Sequence, residues 1–337
     1  MYECYFGLSK NPFSMSPDPD SLFMTDVHRE ALAGLSYAIV HRKGFVVLEG
    51  EAGTGKTTLL RKLLQMLPES EAQTSVVLNP VLTAAEFLEL LLLNFGVQDL
   101  PVSKAQRLVR LEELLLQANR SGRAPVLIID EAHKLNNEVL EEIRLLTNFE
   151  TREAKLLQIV LTGQPELRDV LNRPDLWQLK QRVAVRLRIK ALSRIQVNDY
   201  MIYRWNRAGA TSPLPFGEEA VSMIALWSKG IPRLINSICD NALLLAFSDS
   251  SRAVLPSHIQ EAVRDLDLGS RTPESGVAPA APVFKESHRP LSNGQARTAE
   301  LEPLKLGTLD RYMPLPEKRF LGLRWRSRSL AASNEGA

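Results

Sequence analysis

The sequence predicts an α/β protein with a five-stranded parallel sheet, followed by a smaller all-helical region and a proline-rich tail. Short apolar runs alternate with helical segments in the first half of the chain, which is typical of a parallel sheet with helices on both faces. Strand signals stop after about residue 190, and from Gly269 prolines recur without a sustained hydrophobic period. We therefore predict a core with an N-terminal arm (1–190), a helical lid (191–268) and a disordered tail (269–337).

The individual elements follow from periodicity and from the residues that bound each run. The predicted strands lie at residues 45–48, 75–78, 126–129, 158–161 and 184–188. Helices of the core are predicted at residues 27–40, 56–67, 84–95, 104–119, 137–147 and 165–171. Residues 1–25 combine prolines with the aromatics Phe6, Phe13 and Phe23, which predicts a folded arm docked on a domain because the aromatic rings need burial.

The second half is predicted to be helical throughout. Ser193 is placed to cap a helix over residues 194–208, because its hydroxyl can accept a backbone N–H of the first turn. Further helices are predicted at residues 217–228, 232–247 and 256–266. These four helices make up the predicted lid.

The composition excludes several classes of protein. The chain is 45% hydrophobic and 24% charged with a net charge of +2, so nucleic acid or anionic lipid would have to bind a local basic patch. We find no secretory signal and no run near the roughly 20 apolar residues of a spanning helix, which predicts a cytoplasmic protein without a transmembrane segment. Cys4 and Cys239 have no metal-ligand spacing and are interpreted as reduced thiols.

A glycine-rich segment directly follows the first strand and carries the strongest functional signal. It reads Gly50-Glu51-Ala52-Gly53-Thr54-Gly55-Lys56-Thr57-Thr58, and residues 50–57 fit G-x-x-x-x-G-K-[ST]. Glycines let backbone N–H groups turn toward phosphates, and the following helix adds its positive end. Lys56 can reach the β- and γ-phosphates and the Thr57 hydroxyl can hold Mg²⁺. This segment, named the phosphate loop below, predicts binding of a nucleoside triphosphate.

Two carboxylates end the third predicted strand. Asp130 stands where it can bind Mg²⁺ through water, and Glu131 can polarise the water that attacks the γ-phosphate. An acidic turn alone is weak evidence, but its combination with the phosphate loop predicts triphosphate hydrolysis.

Four further residues are candidates for the same site. Thr162 or Gln164, after the fourth strand, could orient the attacking water, although a plain strand-to-loop turn is the alternative. Arg182 could act as an arginine finger on a neighbouring subunit's nucleotide, or could be an ordinary surface arginine. Arg233 follows the turn Gly230-Ile231-Pro232 and could link the lid to the γ-phosphate; the alternative is an exposed arginine in a helix's first turn.

In order along the chain, these motifs resemble those of an AAA+ ATPase: Walker A, Walker B (Asp130-Glu131), sensor 1 (Thr162), an arginine finger (Arg182) and sensor 2 (Arg233). Longer matches point to the ExeA-type ATPases, the general secretion pathway protein A group. They are Asn11-Pro12-Phe13, His28-Arg29-Glu30-Ala31-Leu32, Gly163-Gln164-Pro165-Glu166-Leu167 and Gly230-Ile231-Pro232-Arg233-Leu234-Ile235-Asn236. The resemblance covers about residues 1–268.

The resemblance implies an ATPase with Mg²⁺, a helical lid, a homo-oligomer with ATP between subunits, and a secretion or envelope partner. It implies ATP rather than GTP, and it places Phe13 or His28 near the adenine. ExeA-type proteins continue into a membrane-spanning helix and a peptidoglycan-binding region, whereas this sequence continues as the proline-rich tail, so the ATPase module alone is implied.

Two alternatives stay open at the level of sequence. One is a DNA-associated ATPase similar to transposition regulators, for which no basic stripe gives support; the other is a scaffold that ATP locks without turnover. The tail contains Phe320-Leu321-Gly322-Leu323-Arg324-Trp325-Arg326-Ser327-Arg328, which is either a docking peptide for a partner, membrane surface or nucleic acid, or a solvated end.

Overall fold

Five parallel strands form the centre of the first half of the chain in a computed structural model, which describes residues 1–68, 71–78 and 80–268. The strands are β1 (Phe45–Glu49), β2 (Ala72–Val77), β3 (Ala124–Ile129), β4 (Gln158–Gly163) and β5 (Val185–Arg188). Their order across the sheet is β2-β3-β4-β1-β5. Because all pairings are parallel, the loops after β1, β3 and β4 leave the same edge of the sheet.

Twelve α-helices accompany the strands in the described residues. They are α1 (Tyr2–Phe6), α2 (Asp26–Val40), α3 (Lys56–Met66), α4 (Ala84–Asn94), α5 (Lys104–Arg120), α6 (Asn137–Leu146), α7 (Glu166–Leu171), α8 (Trp177–Gln181), α9 (Arg194–Arg207), α10 (Glu218–Ser228), α11 (Pro232–Ser248) and α12 (Pro256–Asp265). Short 3-10 helices occur at Pro19–Ser21, Ala132–Lys134 and Pro174–Leu176. The predicted order of sheet and helices is confirmed.

The sheet is buried on both faces, as its uninterrupted apolar strands predict. Phe45 and Val47 of β1 pack with α4 to α8, whereas Val46 and Leu48 point to the opposite face and pack with α2 and α3. This alternation fixes the register of β1, and it holds the strand end that leads into the phosphate loop between two hydrophobic layers.

The N-terminal arm packs on the helical region, so the prediction that it is folded and docked is confirmed. Phe6 and Phe13 are buried with side chains of α9 to α12 in one hydrophobic cluster. The Tyr2 hydroxyl hydrogen-bonds to the Asp240 carboxylate on α11, and Asn11 Nδ2 donates to the same carboxylate at 2.9 Å. The arm therefore contributes to the core of helices far along the chain, since Asn11 and Asp240 are 229 positions apart.

Some details of the sequence prediction were wrong, and each has a physical reason. The helices α1 and α8 were not predicted, because five-residue helices form through tertiary contacts rather than through local propensity. β2 begins at Ala72 rather than at Ser75, because this edge strand is only partly buried and the polar Gln73 and Thr74 interrupt its apolar pattern. The proline-rich tail and its basic, aromatic peptide lie outside the described residues.

Candidate nucleotide site

The phosphate loop joins β1 to α3 in the conformation that its glycines allow. Gly53 and Gly55 have φ values of 79° and 98°, in the left-handed region that side chains disfavour. A Cβ on Gly53 would lie 2.6 Å from the Cβ of Arg233, so this glycine also permits the close approach of α11. The sequence motif therefore folds as predicted, between a buried strand and a helix.

Lys56 is buried in this loop, with 4% of its surface exposed. Its Nζ donates to the carbonyl oxygens of Gly50 at 2.8 Å and Glu51 at 3.0 Å. Burial lowers the pKa of the ammonium group, while the nearby carboxylates of Glu131 and Asp130 act in the opposite direction. The Lys56 ammonium group therefore has two loop carbonyls as partners, and phosphate oxygens could replace them.

Thr57, Asp130 and Thr162 form one hydrogen-bonded group below the loop. The Thr57 hydroxyl donates to Asp130 Oδ2 at 2.6 Å, and the Thr162 hydroxyl donates to Asp130 Oδ1 at 2.7 Å. Asp130 is 5% exposed and also accepts the backbone N–H of Glu131 at 2.9 Å. A hydroxyl and a carboxylate oxygen are hard ligands of the type Mg²⁺ prefers, so Thr57 and Asp130 fit this ion.

Glu131 lies one residue further and lines the pocket, with 30% of its side chain exposed. Its φ of 52° is in the left-handed region, an unfavourable conformation for a residue with a Cβ that is typical of functional sites. Gln164 Nε2 lies 3.5 Å from Glu131 Oε2, and His133 Nε2 lies 3.4 Å from the same oxygen. The structure thus places Gln164 beside Glu131, and the fully buried Thr162 beside Asp130.

These groups open into a pocket of about 590 Å³. Its lining comes from the phosphate loop, from Glu131 and Gln164, from the arm, and from helices α9 and α11. Seven of the predicted loop residues line the pocket: Ala52, Gly53, Thr54, Gly55, Lys56, Thr57 and Thr58. The other two, Gly50 and Glu51, do not line it, and their carbonyl oxygens accept hydrogen bonds from the Lys56 ammonium group. The volume is within the usual range for small-molecule sites.

One wall of the pocket consists of arm residues held by α9. Arg204 Nε donates to the Pro12 carbonyl at 2.7 Å, and its Nη2 donates to the Ser14 carbonyl at 3.1 Å. Tyr200, which also lines the pocket, donates to Asn236 Oδ1 at 2.7 Å. The sequence analysis missed Tyr200 and Arg204, because nothing along the chain indicates which face of α9 meets the arm.

The two arm-side residues that the family resemblance placed near the adenine have different positions. Phe13 is fully buried, 6.2 Å from the Phe216 ring, and is not among the pocket residues. His28 does line the pocket, and its Nε2 lies 3.4 Å from the Thr54 carbonyl. Burial lowers the pKa of His28, so its neutral form connects α2 to the phosphate loop near pH 7.

Arg233 and Arg182 occupy different surroundings. The backbone N–H of Arg233 donates to the Gly53 carbonyl at 3.2 Å, and its exposed side chain lines the pocket. Arg182 does not line this pocket; its Nη1 donates to the Thr147 hydroxyl at 2.9 Å. A role for Arg182 therefore requires the pocket of another subunit.

Gly230 is essential to the turn that brings Arg233 to the loop, and we expect Gly230→Ala to destabilise the protein. Its φ is 73°, and an added Cβ would lie 1.9 Å from the Leu192 carbonyl oxygen. The substitution should lower the free energy of unfolding by about 2 kcal/mol or more, measured by urea denaturation. Gly217→Ala is the matched control, because a Cβ there meets nothing within 4 Å. Equal stability of the two variants would contradict the expectation.

The chain is similar to known proteins over most of its described length. The chain is 44% identical over 270 residues to general secretion pathway protein A of Aeromonas hydrophila, a match that covers 79% of this chain and 48% of the relative. Residues 40–171 match a family described as AAA domain. Over the matched residues the chain is an AAA+ module similar to that of the ExeA-type proteins. It spans about half the length of the curated relative it matches.

Solved structures share the fold of this AAA+ module. Cdc6p of Pyrobaculum aerophilum is 17% identical with a TM-score of 0.61, over 77% of this chain and 71% of that one. The ORC1 protein of Aeropyrum pernix in complex with DNA is 18% identical with a TM-score of 0.55, over 76% and 69%. In the described part of the AAA+ module, every helix is too short or too polar to cross a bilayer.

Proposed function

We propose that this AAA+ module binds ATP with Mg²⁺, hydrolyses it, and uses the resulting movement to change the conformation of a partner assembly. The observation that carries the proposal is the convergence of Lys56, the Thr57–Asp130 pair and Glu131 on one pocket. A scaffold that only retained ATP would not require a carboxylate held in a strained conformation beside the phosphate site.

Each residue has a distinct part in the proposed reaction. The Lys56 ammonium neutralises phosphate charge, and the Glu131 carboxylate takes the proton of the attacking water. Thr57 and Asp130 would hold Mg²⁺, which neutralises charge on the β- and γ-phosphates when bound. Thr162 keeps the Asp130 carboxylate in place, and Arg233 contacts the γ-phosphate from α11. The products are ADP and inorganic phosphate.

Movement is coupled to the nucleotide through the first turn of α11. The Gly53 carbonyl of the phosphate loop accepts the N–H of Arg233, while the side chain of the same arginine lines the pocket. Loss of the γ-phosphate would remove a charge partner of Arg233 and change the position of the helical region relative to the sheet.

We propose that the active form is a homo-oligomer in which Arg182 completes a neighbour's site, because Arg182 lies outside its own pocket. Arg182→Ala and Glu131→Gln should each be inactive alone, and their mixture should regain ATP turnover at interfaces that combine an intact arginine with an intact glutamate. A mixture of Lys56→Ala with Glu131→Gln is the control, since both defects lie in the same pocket. No gain in the first mixture would contradict a role in trans.

We further propose a cytoplasmic module that acts on secretion or envelope machinery, supported by the name of the 44% identical relative. The test is affinity capture with the full-length Glu131→Gln chain and ATP from lysate of the native host. Enrichment of envelope or secretion proteins over a Lys56→Ala control supports the proposal. Recovery of DNA with DNA-bound proteins would instead favour the DNA-associated ATPase.

A further inference from the structure

His133 lies between Glu131 and the end of β4. It belongs to the 3-10 helix Ala132–Lys134 that follows the Walker B strand, and its side chain is only 12% exposed. The Nδ1 atom lies 3.4 Å from the backbone nitrogen of Gln164, and the Nε2 atom lies 3.4 Å from Glu131 Oε2. The imidazole thus contacts both the residue after β4 and the predicted general base.

The contact with Gln164 determines which nitrogen of the ring carries the proton. A backbone N–H can only donate, so Nδ1 must accept and must be unprotonated. In the neutral imidazole the proton is then on Nε2, where Glu131 Oε2 can accept it. Gln164 Nε2 lies 3.3 Å from His133 Nε2, and because both nitrogens are donors in this tautomer, each can donate to Glu131 Oε2 but not to the other.

The contacts of Glu131 converge on one of its two carboxylate oxygens. His133 Nε2, Gln164 Nε2 and Lys134 Nζ lie 3.4, 3.5 and 3.8 Å from Oε2. Glu131 also has a left-handed backbone, which surrounding contacts must maintain. Donors that surround Oε2 would fix the orientation of the Glu131 carboxylate, and Oε1 would remain available to accept a proton from water.

We propose that His133 is a positioning residue for Glu131: its Nε2–H, together with the Gln164 amide, holds Oε2 and keeps the carboxylate aimed at the attacking water. The inference rests on the proposed hydrolysis of ATP. It assigns to His133 no contact with the nucleotide and no proton transfer. It also connects the end of β4, which carries Thr162 and Gln164, to the general base through a side chain.

Two amide substitutions separate the two contacts of His133. In His133→Asn, the side-chain carbonyl can still accept the Gln164 N–H near the position of Nδ1, but the side chain is too short to reach Glu131. In His133→Gln, the amide nitrogen can occupy the position of Nε2 and donate to Oε2. We expect the Asn variant to lose about tenfold to a hundredfold in kcat with unchanged ATP affinity, and the Gln variant to retain most of the activity.

Outcomes for this inference and for the proposed function can be distinguished. If the wild-type protein does not hydrolyse ATP, the proposed function is contradicted, and so is the positioning role of His133 that rests on it. Active wild type with an equally active or faster Asn variant contradicts the positioning role alone. His41→Asn is the control, because His41 packs against Tyr37 on the surface end of α2.

A second measurement needs neither nucleotide nor turnover. The ¹⁵N chemical shifts of the ring nitrogens, recorded on nucleotide-free full-length protein, report which nitrogen of neutral His133 is protonated. The inference requires protonation at Nε2, with assignment made by comparison with His133→Gln. Protonation at Nδ1 would remove the proposed donor and overturn the inference.

Discussion

Lys56→Ala is expected to abolish productive ATP binding. The substitution removes the buried ammonium group that faces the phosphate site, and no other cation is buried in the described part of this loop. A charge-assisted hydrogen bond to phosphate contributes roughly 1.5–3 kcal/mol, so the Kd for ATP should rise about a hundredfold when more than one is lost. Turnover should fall with occupancy. Isothermal titration calorimetry with ATP and Mg²⁺ measures the change directly.

The control for this variant is Lys180→Ala, which removes a partly exposed lysine near the Trp177 ring, outside the pocket. Both proteins should first be compared by thermal unfolding, because Lys56 also donates to two loop carbonyls and so contributes to the fold of the loop. Unchanged ATP affinity in folded Lys56→Ala would mean that the pocket does not bind phosphates through this loop.

Glu131→Gln is expected to bind ATP normally and to hydrolyse it very slowly. The amide has the size of the carboxylate but cannot take a proton from water, and general-base catalysis typically contributes about 10²- to 10⁴-fold in rate. Single-turnover hydrolysis should therefore slow by about that factor, while the Kd for ATP stays close to the wild-type value. Rapid-quench measurement of ADP formation, with binding measured separately, distinguishes these effects.

Glu138→Gln provides the matched comparison, since Glu138 is exposed in the first turn of α6 and does not line the pocket. Equal single-turnover rates in Glu131→Gln and wild type would remove Glu131 from the reaction. Equal loss of binding and rate would instead show that the carboxylate supports the architecture of the pocket.

Local signals predicted the phosphate side of the site. Residues 50–57 are contiguous, so the loop motif specifies its own geometry, and Asp130 directly follows an apolar strand that the sequence analysis predicted at residues 126–129. Thr162 and Asp130 meet because β3 and β4 are adjacent, which follows from the order of parallel strands. The pairing of β3 with β4 therefore brings the backbones of Asp130 and Thr162 close together.

The opposite wall of the pocket could not be predicted in the same way. Arg204 donates to the carbonyl of Ser14, 190 positions earlier, and the Tyr200 ring packs on Phe23; both contacts depend on the packing of α9. Phe13 shows the same limitation, because its aromatic character indicated burial but not which cluster would bury it. The role of His133 depends on ring orientation, which a sequence pattern does not specify.

The arm has a consequence for how the helical region can move. One covalent connection runs from β5 through Leu192 into α9, and a second runs from the docked arm through residues 14–25 into α2. A body joined at one point can swing and twist freely, whereas a body joined at two separate points rotates mainly about the line between them. The proposed movement of the helices on nucleotide turnover would therefore be restrained at both connections, as a rotation about the line that joins them.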